Sequence, residues 1–140
     1  MKRTDLAAPK RLLVATLAAT LLLWLLGFLT SLITGPGGTN LGTFLGYLDP
    51  LNLLVTAIAM GVGGYLEGKR FIGMALLIMV VFWIVTVAIL LQIAKPLQDA
   101  PLVPILAFNR MQMAFSALAA CAGAAIGAWL RMKRPPRAFT

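Results

Sequence analysis

Side chains that could take part in chemistry are few in this sequence and lie near the ends of its apolar segments. None of the 140 residues is a histidine, and the four carboxylates are Asp5, Asp49, Glu67 and Asp99. An activated nucleophile, a zinc site or a phosphate-binding loop each needs residue types and spacings that this sequence does not present. Proton-coupled transporters usually carry an ionisable residue inside a span, whereas these carboxylates all lie outside the long apolar runs. We therefore predict a protein that is not an enzyme, with no catalytic residue, no metal site and no cofactor.

A polar cluster lies near the start of the fourth apolar run, at Asn109–Gln112. At ~1.5 Å of rise per helical residue, Arg110 lies about 31 Å from Arg131, which is about one hydrocarbon thickness. Arg110 is thus predicted at the outer membrane boundary. Three interpretations remain open for it: a side chain that extends to lipid phosphate, an ion pair with Asp49 or Asp99, and a site for an anionic headgroup or a partner protein. Together with other polar residues predicted at this depth it forms a candidate outer polar cluster, which comprises Asn52, Gln92, Asn109, Arg110 and Gln112.

Two tryptophans lie at unusual positions, near the middle of apolar segments. Tryptophan is enriched at membrane interfaces, yet Trp24 and Trp83 both occur well inside long apolar runs. A buried indole N–H needs a hydrogen-bond partner. Packing against neighbouring helices is the favoured interpretation, and contact with a lipophilic ligand held between the first and third spans is the alternative.

Four long apolar segments must position these side chains. The composition is 61% hydrophobic and only 11% charged, and a bilayer core requires ~20 residues of helix. The predicted spans are residues 12–33, 50–66, 71–94 and 104–130, flanked by basic tails at 1–11 and 131–140. Because the tails and loops are too short to fold alone, we predict an all-α four-helix transmembrane bundle that forms a single domain, 1–140. The first run is longer than the ~7–15 apolar residues of a signal peptide, which favours an uncleaved anchor.

Local signals set the ends of the spans. Gly35 and the Pro-Gly-Gly that follows favour termination of the first helix, and Asp49-Pro50 is typical of an N-cap followed by the first helical residue. Between them, four apolar residues have the spacing of one helix face: Leu41, Phe44, Leu45 and Leu48. This spacing predicts a short helix on the membrane surface, with an irregular apolar loop as the alternative.

The second and fourth spans are rich in small residues. Membrane helices attract one another mainly through close packing, which small side chains permit. At 100° per residue the fourth span presents a smooth stripe, and the second span presents a matching face. The predicted helix-packing residues are Ala57, Gly61, Gly64, Ser116, Ala120, Gly123 and Gly127.

Charge is distributed unevenly along the chain. The net charge is +8, and the basic residues flank the spans, in both tails and in the turn Lys69-Arg70. The positive-inside rule then predicts both termini in the cytoplasm of a bacterium, with the chain crossing the inner membrane repeatedly. Basic residues so placed indicate contact with anionic lipids of the bilayer rather than with nucleic acid.

The function class follows from what occupies the middle of the spans. A pore needs polar groups there, whereas helix packing needs small ones, and the spans offer small ones. We therefore expect a non-enzymatic accessory protein or subunit of a membrane complex, whose partners are other membrane subunits or further copies of itself. A small homo-oligomeric transporter or channel, or a lipid-binding protein, is the alternative.

Overall fold

The computed structural model describes residues 7–35, 39–97 and 101–133. Within these ranges the chain forms four helices and one short β-hairpin, which lies between the first and second helices. In chain order the elements are α1 (Ala7–Thr34), β1 (Leu41–Thr43), β2 (Gly46–Leu48), α2 (Pro50–Glu67), α3 (Phe71–Ala94) and α4 (Leu102–Met132). All four helices are long and apolar enough to cross a membrane. The protein is therefore an all-α, multi-pass membrane bundle, as the sequence predicts.

Two local signals for helix ends, at Gly35 and at Asp49, agree with the structure, whereas α1 already begins at Ala7, within the predicted basic tail. Gly35 follows α1 with a φ of 70°, the left-handed conformation that glycine adopts without penalty. Asp49 caps α2, because its side chain accepts hydrogen bonds from the backbone N–H groups of Leu51 and Asn52. The fourth helix begins at Leu102 rather than at Pro104, since proline is tolerated anywhere in a first turn, whose N–H groups have no partner inside the helix.

The prediction of a short surface helix between α1 and α2 is wrong. Strands β1 and β2 pair antiparallel there, with Leu41 opposite Leu48 and Thr43 opposite Gly46. Two glycines in so short a segment cost a helix ~1 kcal/mol each, and isolated helices of fewer than ~12 residues are marginal in any case. Gly46 has a φ of 131°, which a helix does not allow.

Helix α2 lies at the centre of the bundle. It packs most extensively against α4 and next against α1, while α4 also packs against α3. Helices α1 and α3 touch each other only slightly, which leaves a cleft between them. The hairpin covers the end of the bundle where α1 and α3 finish, here called the hairpin end; the α2–α3 turn marks the opposite, turn end.

Small residues also shape the centre of the bundle. Ala15 and Ala19, one turn apart on α1, are fully buried, as is Phe71 at the start of α3. A side chain on Gly63 of α2 would overlap the Phe71 ring. Glycine at this position therefore makes room for the aromatic ring directly after the tight α2–α3 turn.

Candidate functional site

The stripe of small residues lies between α2 and α4. A Cβ atom added to Gly123 would lie 2.8 Å from both the Cα and the carbonyl carbon of Ala57, and one added to Gly127 would lie 2.8 Å from the carbonyl carbon of Gly61. From the other helix, a Cβ on Gly64 would lie 2.8 Å from the Cα of Ala124. Real Cβ atoms essentially never come within 3.0 Å of such atoms. The two backbones are therefore in direct contact, and this seam is internal to the chain.

The stripe also contacts α3, through Ser116, its member nearest the hairpin end. Ser116 is 2% exposed and accepts a hydrogen bond of 2.8 Å from the indole Nε1–H of Trp83. Its own hydroxyl donates to the carbonyl of Met113. Trp83 is thus a packing residue between α3 and α4 whose polar atom is paired inside the bundle. Ala120, one turn further along α4, is fully buried.

Part of the outer polar cluster anchors the hairpin. Gln112 is 2% exposed, and its Oε1 accepts a hydrogen bond of 2.8 Å from the backbone N–H of Asp49. Arg110 donates from Nε to the carbonyl of Leu45 at 2.7 Å. This contact is with the backbone of the hairpin, and the contacts of Arg110 with lipid phosphate, an anionic headgroup or a partner protein stay predictions. Residue Asp99, one of its two candidate ion-pair partners, lies outside the described residues.

Of the remaining members of the cluster, Asn52 is joined to this anchor, because its backbone N–H donates to the side chain of Asp49, the residue that Gln112 holds. Asn109 donates to the carbonyl of Ile105 within its own helix. Gln92 is exposed near the end of α3. Asn52 lies in the first turn of α2 and lines the two cavities described next. The structure therefore joins Gln112 and Asn52 through Asp49, whereas Asn109 bonds within its own helix.

Close packing against α4 also fixes the position of the hairpin. A Cβ on Gly46 would lie 2.6 Å from the carbonyl oxygen of Phe108, so only glycine fits there. The Tyr47 ring stacks on the Phe108 ring, with centroids 5.6 Å apart. These contacts hold Tyr47 and Asp49 in place at the hairpin end.

The cleft between α1 and α3 is a cavity of about 770 Å³, which is within the usual range for ligand sites. Its walls are largely apolar, and the Trp24 side chain, 75% exposed, lies along it. Trp83 is not in its lining. The two tryptophans therefore do not form one lipophilic site, and only Trp24 is placed to meet a ligand between these helices.

A second, polar cavity of about 200 Å³ adjoins the cleft at the hairpin end. Gly27 and Asn52 line both cavities. The other lining residues come from the end of α1, the hairpin and the start of α2: Thr30, Ser31, Thr34, Gly35, Asn40, Tyr47, Asp49 and Leu51. We call this cavity the polar pocket.

Hydrogen bonding within α1 makes the polar pocket rich in acceptors. The hydroxyls of Thr30, Ser31 and Thr34 each donate to a carbonyl three or four residues earlier in the helix. A hydroxyl has one proton and two lone pairs, so these three side chains retain acceptor capacity only.

Asp49 brings the negative charge of the pocket. Its Oδ1 accepts hydrogen bonds from the Thr39 hydroxyl and from two backbone N–H groups of α2, all of them neutral donors. Burial, the charge of Asp49 and a hydrogen bond with it raise the pKa of Tyr47 above its ordinary value of 10.0. The residues that line the pocket include no lysine or arginine.

Sequence reasoning missed the polar pocket. The spacing of Thr30, Ser31 and Thr34 near the end of a predicted span was an available signal, because positions i and i+4 share a helix face. Helical spacing could not predict that Asn40 and Tyr47, which precede α2, also line this pocket. Within residues 7–35, 39–97 and 101–133, no group of three or more His, Cys, Asp or Glu side chains could hold a metal ion.

Compared with known protein families, curated proteins and solved structures, the chain shows no significant match.

Proposed function

We propose that this protein is a non-enzymatic membrane protein that binds a lipid-like amphiphile between α1 and α3. The observation that supports the proposal is the continuity of two cavities of opposite character. An apolar cleft lined by Trp24 adjoins an acceptor-rich pocket that contains Asp49, and Gly27 lies at their junction. An amphiphile has the same division, with a tail that is stable in an apolar site and a headgroup that needs polar partners.

The length of the cleft favours an occupant taken from one leaflet. Its α1 wall extends from Thr16 to Phe28, about 18 Å at ~1.5 Å per residue. Half of a ~30 Å hydrocarbon core is about 15 Å. An acyl chain whose headgroup lies in the polar pocket would therefore follow the cleft for most of its length.

Photo-crosslinking tests this proposal. A phospholipid with a diazirine in its acyl chain is reconstituted with the protein at low mole fraction, and the labelled peptides are mapped by mass spectrometry. We expect labelling around Trp24 that saturates and that unlabelled lipid extract displaces. Leu118 is the control, because it is 64% exposed on α4 and lines neither cavity. Labelling that rises linearly with lipid content and is equal at both positions would refute the proposal.

The orientation in the membrane is a further part of the proposal. Lys10, Lys69 and Arg131 mark the start of α1, the α2–α3 turn and the end of α4, so basic residues gather at the turn end. The positive-inside rule supports a bacterial inner-membrane protein with this end, and hence both termini, in the cytoplasm. Reporters inserted at Gly68 and at Asn40 should show cytoplasmic and periplasmic activity, respectively. The opposite pattern would invert the assignment.

A second candidate is an accessory subunit of a membrane complex. Large apolar side chains such as Leu21 and Ile84 are more than 60% exposed on α1 and α3, while the small-residue seam is already used within the chain. Partner subunits, or further copies of this chain, would therefore bind the large-residue faces. Leu21→Ala and Ile84→Ala should then release a partner that co-purifies in mild detergent.

Two buried polar side chains on α2 and α4 favour either of these roles over transport. Thr56 and Ser116 are buried, and both are hydrogen-bonded inside the bundle, Thr56 to the carbonyl of Asn52 and Ser116 to Trp83. Paired in this way they stabilise packing and do not line a polar path.

A further inference from the structure

We infer that the polar pocket selects a headgroup that carries a primary ammonium, as in phosphatidylethanolamine, over an anionic headgroup. This inference rests on the proposed function, because it names the class of amphiphile that the cleft and the polar pocket would hold. It follows from the count of donors and acceptors around the pocket and from the charge of Asp49.

The helix-borne side chains of the pocket present lone pairs. Thr30, Ser31 and Thr34 have committed their protons to α1 carbonyls. An ammonium group has three donors and no acceptor, so it matches such a wall. An anionic terminal group such as a carboxylate would instead oppose its lone pairs to those of the hydroxyls.

The charge of the pocket favours the same headgroup. Asp49 is half-buried at its edge, and no lysine or arginine is among the lining residues. Arg110, the basic residue that anchors the hairpin, donates to the carbonyl of Leu45. A cationic headgroup would therefore add a charge-assisted hydrogen bond to the Asp49 carboxylate, which is stronger than the bonds from its neutral donors.

Asn40 and Asn52 add amide groups that either donate or accept at the same pocket. They do not discriminate between headgroups by themselves. The two amides can donate to the phosphate ester of a zwitterionic lipid, while the acceptor-only hydroxyls and Asp49 accept from its ammonium. The occupant that fits both cavities is thus a zwitterionic lipid with an amine headgroup.

Native mass spectrometry tests this inference on the full-length protein in detergent micelles supplied with equal amounts of phosphatidylethanolamine and phosphatidylglycerol. We expect phosphatidylethanolamine to be retained about tenfold or more in preference, the effect of one charge-assisted hydrogen bond. Asp49→Asn keeps a good N-cap but removes the charge, and it should reduce the preference to about twofold or less. A preference for phosphatidylglycerol, or an unchanged preference in Asp49→Asn, would refute the inference.

A pair of isosteric variants tests the hydroxyl wall. Thr30→Val with Thr34→Val removes two acceptor oxygens from the polar pocket and should weaken retention of phosphatidylethanolamine. Thr86→Val is the matched control, because Thr86 makes the same kind of helix hydrogen bond, to the carbonyl of Phe82, but lines the apolar cleft only. Equal effects of the two changes would contradict the assignment of the headgroup to the polar pocket.

Gly27→Leu separates failure of this inference from failure of the proposed function. A Cβ on Gly27 would meet nothing within 4 Å, and the same holds for Gly73, which lines neither cavity. We expect Gly27→Leu to obstruct the junction and abolish retention of both lipids, while Gly73→Leu leaves retention unchanged. If wild type retains no more lipid than Gly27→Leu, the proposed function itself fails. If Gly27→Leu lowers retention but wild type shows no preference for the amine headgroup, only the present inference fails.

Discussion

Gly123→Ala adds a single methyl group to the seam between α2 and α4. That methyl would lie 2.8 Å from two carbon atoms of Ala57, and ordinary van der Waals contact begins at 3.4 Å. The carbonyl oxygen of Ala57 would lie closer still, so the helices must separate locally by more than 0.6 Å, the difference between these distances. These atoms all belong to the backbone, so no side-chain rotation can relieve the overlap.

The expected loss in free energy of unfolding follows from the loss of close contact between α2 and α4. A radial gap of ~0.5–1 Å forfeits about a quarter to a half of the attraction between atom pairs, and overpacking typically costs ~1–3 kcal/mol. Replacing glycine by alanine within a helix returns ~0.8–1.0 kcal/mol of helix propensity. The same change at Gly73, where a Cβ meets nothing within 4 Å, carries the propensity gain alone. The two variants should therefore differ in free energy of unfolding by about 1–3 kcal/mol, the overpacking cost.

Unfolding by SDS in mixed micelles measures this difference. In a background with Trp24→Phe and Trp129→Phe, the fluorescence of Trp83, which is 9% exposed, reports loss of tertiary packing. We expect Gly73→Ala to unfold at the same or higher SDS fraction than the background and Gly123→Ala at a clearly lower one. Identical transitions for the two alanine variants would show that the seam does not hold the bundle together, and the packing argument would be refuted.

Three further predictions concern the hydrogen bonds that join the elements. Gln112→Leu should destabilise the fold by ~1–3 kcal/mol, because the backbone N–H of Asp49 loses its acceptor, and hydrogen exchange at that amide should rise in parallel; unchanged exchange would contradict the anchoring role. Ser116→Ala should leave the Trp83 indole N–H unpaired, shift its emission to the blue and lower stability by a similar ~1–3 kcal/mol, whereas an unaltered spectrum would mean that the bond is not formed. The raised pKa of Tyr47 means that the unfolded state loses its proton first as pH rises, so stability should be level below pH 10.0 and decline above it. Phenolate absorbance should show this late titration in wild type and an earlier one in Asp49→Asn, and an equal pKa in both would exclude a contribution from Asp49.

The four helices and some of their ends were determined by the sequence itself. An apolar run of sufficient length forms a helix in a membrane because every backbone group must be paired within it, so α3 could be placed at residues 71–94 without a structure. The Asp49-Pro50 cap is equally local, since the side chain bonds N–H groups only two and three residues away. The small residues of the seam were recognisable from helical periodicity, because closeness of two backbones requires glycine or alanine at the contact.

The hairpin and the cavities were decided only by tertiary structure. The apolar spacing between Leu41 and Leu48 fits a helix face, yet the segment is held as a hairpin by Arg110, which is 65 residues from Leu45 in the chain, and by Gln112, which is 63 residues from Asp49. No local pattern encodes contacts over such separations. The cleft exists because α2 takes the central position and leaves α1 and α3 nearly apart, a choice made by the fit of all four helices together. The same arrangement separates Trp24 from Trp83, two residues whose similar settings in the sequence give no sign of their different surroundings.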